Sequence, residues 1–247
     1  ELKKNKIYCI DIPLDLEKLT KKKVNLYIKR SFQAGLNLLK KNRSLALING
    51  PISKSNFLKG KYFGITEYLA DKTKSSSKVM LIFNETLSVS PVTTHVQIND
   101  VTRKIDRRKI INNVTNINDF YKEFLGYKPN IAVTGLNPHC ETFRGKDIEK
   151  TEILPAIKIL RKKKIKAFGP FSADTIFLKD NRKKFNVIVG MYHDQVLGPM
   201  KTIFGFNAIN ITIGLPFLRI SPDHGPNYKM FGLNKSNPDS LIQAFKF

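Results

Sequence analysis

Short apolar runs that stop abruptly at clusters of polar side chains limit most strongly what this chain can become. Val187-Ile188-Val189 leads into Tyr192-His193-Asp194-Gln195, and Ile131-Ala132-Val133 into Thr134-Gly135-Leu136-Asn137-Pro138-His139. Residues 87–92 lead in the same way into Thr93-Thr94-His95. Short apolar runs with polar ends read as buried strands. In an open α/β sheet, ligands bind outside the carboxyl ends of the strands. A functional site is therefore expected where these polar clusters begin.

Amphipathic helical patterns lie between the runs. Val24, Ile28, Phe32, Leu36 and Leu39 fall on one helical face, and Ile110, Val114, Ile117 and Phe124 mark another. A helix is expected over 149–163, with Pro155 as a kink or a late start. Residues 44–48, 165–168 and 207–213 are expected as strands, and 78–93 as a hairpin turning at Asn84-Glu85-Thr86. Asn237-Pro238-Asp239 supplies a cap, a proline and an acid for a terminal helix. Residues 1–20 show no pattern. Alternating strands and helices predict an α/β sandwich with a largely parallel sheet and one antiparallel excursion, with two lobes about a cleft. Residues 1–247 are taken as one catalytic unit without a legible lobe boundary. The chain starts at Glu1 and stops within a helical pattern, so it is read as a fragment.

The formal charge of +23 is the one bulk property that suggests a different class, because basic stripes bind phosphate backbones. The lysines are spread along the whole chain, however, and no RNA-binding or helix-turn-helix pattern accompanies them. A solvated surface that attracts an anionic substrate is expected, with no nucleic-acid partner. No apolar run reaches the ~18 residues of a membrane span. Cys9 and Cys140 form no disulfide framework, and the reducing cytoplasm is the expected compartment.

Three histidines, His95, His139 and His193, each follow an expected strand. They either share a metal ion, as an open three-imidazole site does, or satisfy local hydrogen bonds. Asp194 either orients an imidazole or caps a helix. Lys201 and Arg219 stand in apolar sequence, where an unpaired cation is costly. They either clamp a small anion or pair structurally with Asp174 or Asp223. His224 is expected to be a turn residue, and no GxGxxG fingerprint follows any strand.

Seven blocks in order resemble the 4-hydroxythreonine-4-phosphate dehydrogenase family. They are Gly50-Pro51-Ile52-Ser53-Lys54, Gly64-Ile65-Thr66-Glu67, Val92-Thr93-Thr94-His95, Thr134-Gly135-Leu136-Asn137-Pro138-His139, Gly169-Pro170-Phe171-Ser172-Ala173-Asp174-Thr175, Met191-Tyr192-His193-Asp194-Gln195 and Gly214-Leu215-Pro216-Phe217-Leu218-Arg219. The resemblance implies the isocitrate and isopropylmalate dehydrogenase fold, which lacks that fingerprint. It also implies NAD-dependent oxidation of 4-phosphooxy-L-threonine, followed by decarboxylation, in pyridoxal phosphate biosynthesis. The implied metal, zinc or else magnesium, cobalt or manganese, is held by His95 and His139 of one subunit of a homodimer and His193 of the other. Thr66, Lys201, Asn210 and Arg219 are implied to bind substrate, with Asp174 contributed by the partner. Asp194, Lys201 and Asp174 are the implied catalytic residues, and no residue is assigned to NAD.

Three departures accompany the resemblance. Ile65 replaces the family's histidine, and 140–145 replaces a glycine-rich acidic loop. The residues before Lys201 are rearranged to Val196-Leu197-Gly198-Pro199-Met200. The altered pocket raises the alternative of a phosphorylated threonate or erythronate substrate. The family's opening strand-loop-helix and the end of the last helix are expected to lie outside this sequence.

Overall fold

The computed structural model describes residues 6–41, 46–53, 57–58, 62, 64–75, 77–142, 145 and 147–247. Among the described residues, eight strands form one sheet: β1 Ala46–Ile48, β2 Val79–Phe83, β3 Ser88–Thr93, β4 Ile131–Thr134, β5 Ala167–Phe171, β6 Val187–Tyr192, β7 Ile209–Ile213 and β8 Leu218–Pro222. Their order across the sheet is β1-β8-β7-β2-β3-β6-β4-β5. Four of the seven pairings are parallel: β1 with β8, and the run β3-β6-β4-β5. The antiparallel excursion is wider than the expected hairpin, because β7 and β8 join it.

The helices are α1 Lys21–Lys41, α2 Ile65–Thr73, α3 Ile98–Lys104, α4 Arg107–Phe124, α5 Leu154–Lys162, α6 Lys179–Arg182, α7 His193–Phe204 and α8 Asp239–Lys246. None among the described residues is long and apolar enough to cross a membrane.

A side-chain period of two sorts each central strand between two cores. Val79, Leu81, Ile131, Val133, Val187, Val189 and Ile211 face the core built with Ile110, Val114 and Ile117 of α4 and Leu160 of α5. Ile82, Val89, Ala132 and Ile188 face the opposite way, onto Val196, Leu197 and Met200 of α7. Sheet and helices thereby bury both faces, as a mostly parallel sheet requires. A third cluster packs Phe32, Leu36 and Leu39 of α1 against Ile65 and Leu69 of α2.

Several elements differ from expectation. Residues 44–45 of the first expected strand lie outside the described residues, and so does Lys54. The strand expected over 165–168 runs instead as β5, Ala167–Phe171, through Gly169-Pro170. It is an edge strand, where proline is tolerated because no ladder hydrogen bond is needed on the open side. Gly169 has a φ of 126°, and a Cβ there would sit 2.3 Å from the Val133 carbonyl oxygen, so only glycine lets β5 approach β4. Residues 149–153 form one wide π turn before α5 starts at Leu154, with Pro155 in its first turn. β8 lies in a stretch for which the sequence reading gave no strand.

Candidate active site

β3, β6, β4 and β5 are neighbours and run the same way, so the residues that follow them emerge on one edge of the sheet. His95 follows β3, His193 opens α7 directly after β6, His139 follows β4, and Asp174 follows β5. Thr93 pairs with Tyr192 in register. The His95 and His193 rings consequently lie side by side, with centroids 6.1 Å apart and planes tilted by 34°. Two imidazoles bound through nitrogen to one zinc-sized ion would have centroids roughly 5–6 Å apart, given the usual metal–nitrogen distance. The pair is close to that spacing.

Backbone strain marks the same loops. His95 and His139 have φ of 52° and 57°, and Cys140 has 60°, in the left-handed region that non-glycine residues seldom occupy. Such conformations persist only where the surroundings enforce them, and they concentrate at functional sites.

Asp194 Oδ1 lies 2.7 Å from His193 Nδ1, while Tyr192 occupies the cap position of α7 without a side-chain bond. Asp194 thus orients the imidazole and turns Nε2 away from the carboxylate, as carboxylates behind metal-binding histidines do. His139 stands apart from this pair. It occupies the short 3₁₀ turn Pro138–Cys140 and is electrostatically coupled to Asp174. The Ser172 side chain, and after it His139, hold the Asp174 carboxyl below the usual carboxylate range. The resemblance made His193 the ligand that comes from the partner. Within one chain the His193 ring lies beside that of His95, while His139 and Asp174 face each other elsewhere. Among the described residues, no group of three His, Cys, Asp or Glu side chains is arranged to hold a metal ion.

Glu149 shapes the His139 loop. Its Oε1 accepts the backbone N–H groups of Leu136 and Asn137, both at 2.8 Å. Its Oε2 accepts from Asn137 Nδ2 at 3.0 Å and Thr142 Oγ1 at 3.2 Å. Burial acts to raise its pKa, but these bonds, led by those from Asn137, outweigh burial and hold it below its ordinary value of 4.5. A depressed carboxyl stabilises the fold fully above the unfolded-state value, and that contribution is lost as pH falls through the folded one. Glu149→Gln is expected to lower the melting temperature at neutral pH, through a loss of about 1–3 kcal/mol. It should also flatten the decline below about pH 4.5. Melting curves of both proteins across that range check this.

Gln195 ties the same edge together from within. Its Oε1 accepts from Thr134 Oγ1 at 3.0 Å and Met191 N–H at 2.7 Å, and its Nε2 donates to the Gly135 carbonyl at 2.8 Å.

His95 and His193 line a cleft of about 840 Å³ that also exposes Thr66, Asn210, Arg219 and Lys201. His139 and Asp174 are not among its lining residues. The polar floor comes from the register of β7 and β8: Asn210 lies opposite Ser221, and Thr212 opposite Arg219, so all four share one face. Arg219 is 4% exposed, and donates from Nε to Asn49 Oδ1 at 2.9 Å and from Nη1 to Thr212 Oγ1 at 3.0 Å. Burial lowers its pKa to about 10 while Glu67 opposes the shift, so the guanidinium stays charged at neutral pH. Thr66 Oγ1 sits 3.5 Å from Thr212 Oγ1. The buried Asn210 Oδ1 has no hydrogen-bond partner among the described residues. Lys201 pairs with Asp223, Nζ lying 2.6 Å from Oδ2, and is not paired with Asp174. His224 bonds locally, Nδ1 to the Gly225 carbonyl at 3.0 Å, yet it also lines the cleft.

The site thus gathers every expected residue except His139 and Asp174. Sequence reasoning missed Glu149, Asn49 and Thr212 as supporting residues, whereas Asp223 is one of the two ion-pair partners it offered for Lys201. The Asn210/Thr212 and Arg219/Ser221 alternation was the signal that could have disclosed the last strand and Thr212.

The sequence model of the family described as pyridoxal phosphate biosynthetic protein PdxA matches residues 1–247. A 4-hydroxythreonine-4-phosphate dehydrogenase from Sulfurihydrogenibium sp. is 39% identical over 251 residues, covering 98% of this chain and 76% of that protein. The protein of that name from Bradyrhizobium diazoefficiens is also 39% identical, but the chain spans only 61% of its length. A solved 4-hydroxythreonine-4-phosphate dehydrogenase from Burkholderia phymatum superposes with a TM-score of 0.75 at 33% identity, covering 97% of this chain and 75% of that one. An isocitrate dehydrogenase from Methylococcus capsulatus, at 14% identity and a TM-score of 0.53, shares the fold alone. A family match over the whole sequence, with close relatives of matching architecture, establishes that this chain belongs to the PdxA family of pyridoxal phosphate biosynthetic proteins.

Proposed function

We propose that this chain oxidises the 3-hydroxyl of 4-phosphooxy-L-threonine with NAD. The resulting β-keto acid loses its carboxylate as carbon dioxide and leaves 3-amino-2-oxopropyl phosphate. The observation that carries this reading is the adjacency of His95 and His193 on the wall of the cleft that holds Arg219 and Lys201. Its volume, about 840 Å³, suits a small ligand and part of a cofactor.

His95 and His193 would hold two positions of a divalent metal, and the third fits His139 of the partner subunit in a homodimer. Imidazole ligands suit zinc, with cobalt, manganese or magnesium as alternatives. The metal would supply Lewis acidity at the reacting hydroxyl and at the ketone that follows. NAD would accept the hydride.

The chain's own residues do the rest. Asp194 fixes the His193 ring. Arg219, held rigid by Asn49 and Thr212, presents its charge to the phosphate or carboxylate. Lys201 contributes a point charge. Asn210 offers an unpartnered carbonyl oxygen to a substrate donor such as the ammonium. Thr66 supplies a hydroxyl at the start of α2. The Asp174 carboxylate would enter with His139 across the interface. The excess of basic residues favours approach of an anionic substrate.

Ile65 gives phosphorylated threonate or erythronate its standing as a second reading. It is 9% exposed, packs with the α1 cluster, and puts an apolar group at the cleft where the family's histidine is polar. Specificity constants for the two substrate types test the reading. A preference for 4-phosphooxy-L-threonine is expected, and a preference for the acid lacking the amine would overturn it. Ile65→His should raise that preference about tenfold, at a stability cost of about 1–3 kcal/mol for the buried polar ring.

A further inference from the structure

Lys201 reaches the cleft with its ammonium already held on one side. Nζ lies 2.6 Å from Asp223 Oδ2 and donates to the Asp223 backbone carbonyl at 2.5 Å. On another side the Phe206 ring centroid is 5.9 Å away. An ammonium has three donors; one bonds the Asp223 carbonyl and the ion pair with Oδ2 holds the same side, so the ammonium keeps a donor for a ligand.

Asp223 is itself fixed from outside the cleft. Its backbone N–H donates to Ser240 Oγ at 2.9 Å, and the Ser240 hydroxyl donates to the Ala208 carbonyl at 2.5 Å. Ser240 is buried in the first turn of α8 and does not line the cleft. The Asp223 side chain is only 9% exposed, against 37% for Lys201, so the carboxylate is the fixed member and the long amine the adjustable one. His193 and His224 are the other ionisable side chains that face Asp223.

We propose that Asp223, clamped by Ser240, is the positioning residue for Lys201, so that the terminal helix sets where the ammonium meets the substrate's anionic group. The inference rests on the reading of Lys201 as a substrate contact. A free lysine would sample many rotamers and lose that entropy on binding, whereas a held one has already lost it.

The test uses the full-length protein and 4-phosphooxy-L-threonine, with Asp223→Asn, Ser240→Ala, Lys201→Met and the Asp223→Asn/Lys201→Met pair. Asp223→Asn is expected to raise KM roughly tenfold with a smaller change in kcat, the pattern of lost substrate binding. Ser240→Ala should act in the same direction and less. In the Lys201→Met background, Asp223→Asn should add less than about twofold, because the two residues form one unit. An unchanged KM in Asp223→Asn, or its full effect on top of Lys201→Met, would overturn the inference. A wild-type KM in Lys201→Met would overturn the substrate role of Lys201 itself, and the inference with it. Acylation of Lys201 by acetic anhydride gives a readout independent of activity. Released from the ion pair that now holds it, the amine is freer to meet the reagent and should react faster in Asp223→Asn. An unchanged rate in a folded variant would contradict the positioning role.

Discussion

His193→Ala is expected to lower turnover by at least about a thousandfold, because the proposed metal would lose a ligand and with it several kcal/mol of Lewis-acid stabilisation. The fold should survive. His193 is the first residue of α7, its side chain is 37% exposed, and alanine is a good helix former there. Metal content measured beside kcat separates the causes, since a missing ligand lowers both. A variant that keeps bound metal and retains most of its turnover would remove His193 from the site. His95→Ala should behave alike, as its ring faces the same space 6.1 Å away.

Arg219→Lys should raise KM for the phosphorylated substrate about a hundredfold, the loss expected when a buried, directed ion contact is broken. Lysine preserves a positive charge in name only at this position. A buried ammonium is readily neutralised and lacks the planar fork that arginine offers. The substitution also leaves Asn49 Oδ1 and Thr212 Oγ1 without the donors they have now, so a stability loss of about 1–3 kcal/mol is expected as well. Steady-state kinetics and a melting curve on one preparation check both effects. A KM within twofold of the parent would show that the anion binds elsewhere in the cleft.

The fold was legible where hydrophobic period and strand length agree. The runs before His139 and His193 form β4 and β6 because they bury both faces of a parallel sheet and so need no polar alternation, while β3, antiparallel to β2, was legible as half of a hairpin from the alternation of Ser88, Val89 and Ser90. α1 was legible because Phe32, Leu36 and Leu39 repeat on one face. β8 was not, because Arg219 and Ser221 interrupt its apolar residues, and their place in a buried sheet depends on the antiparallel partner β7. The boundaries of β5 failed at Gly169-Pro170, since a Gly-Pro pair reads as a turn, and only the place of β5 at the sheet edge frees it of a second row of ladder hydrogen bonds.

In the site, the identities of the polar residues were legible and their groupings were not. Adjacency of His95 and His193 follows from the pairing of β3 with β6, strands separated in sequence by β4 and β5. The same sheet order puts His139, after β4, on the far side of β6, next to the strand that Asp174 follows. Glu149 escaped notice because a carboxylate at the start of a helical pattern normally serves the helix dipole. Here it turns back to hold the loop of His139.

The measurement closest to the central claim is NADH formation by the full-length protein with 4-phosphooxy-L-threonine, made before and after removal of divalent metal by a chelator and again after its return. The expected result is turnover that disappears with the metal and comes back with zinc or another divalent ion. Turnover indifferent to the chelator, or none from a folded, dimeric, metal-loaded protein, would contradict it.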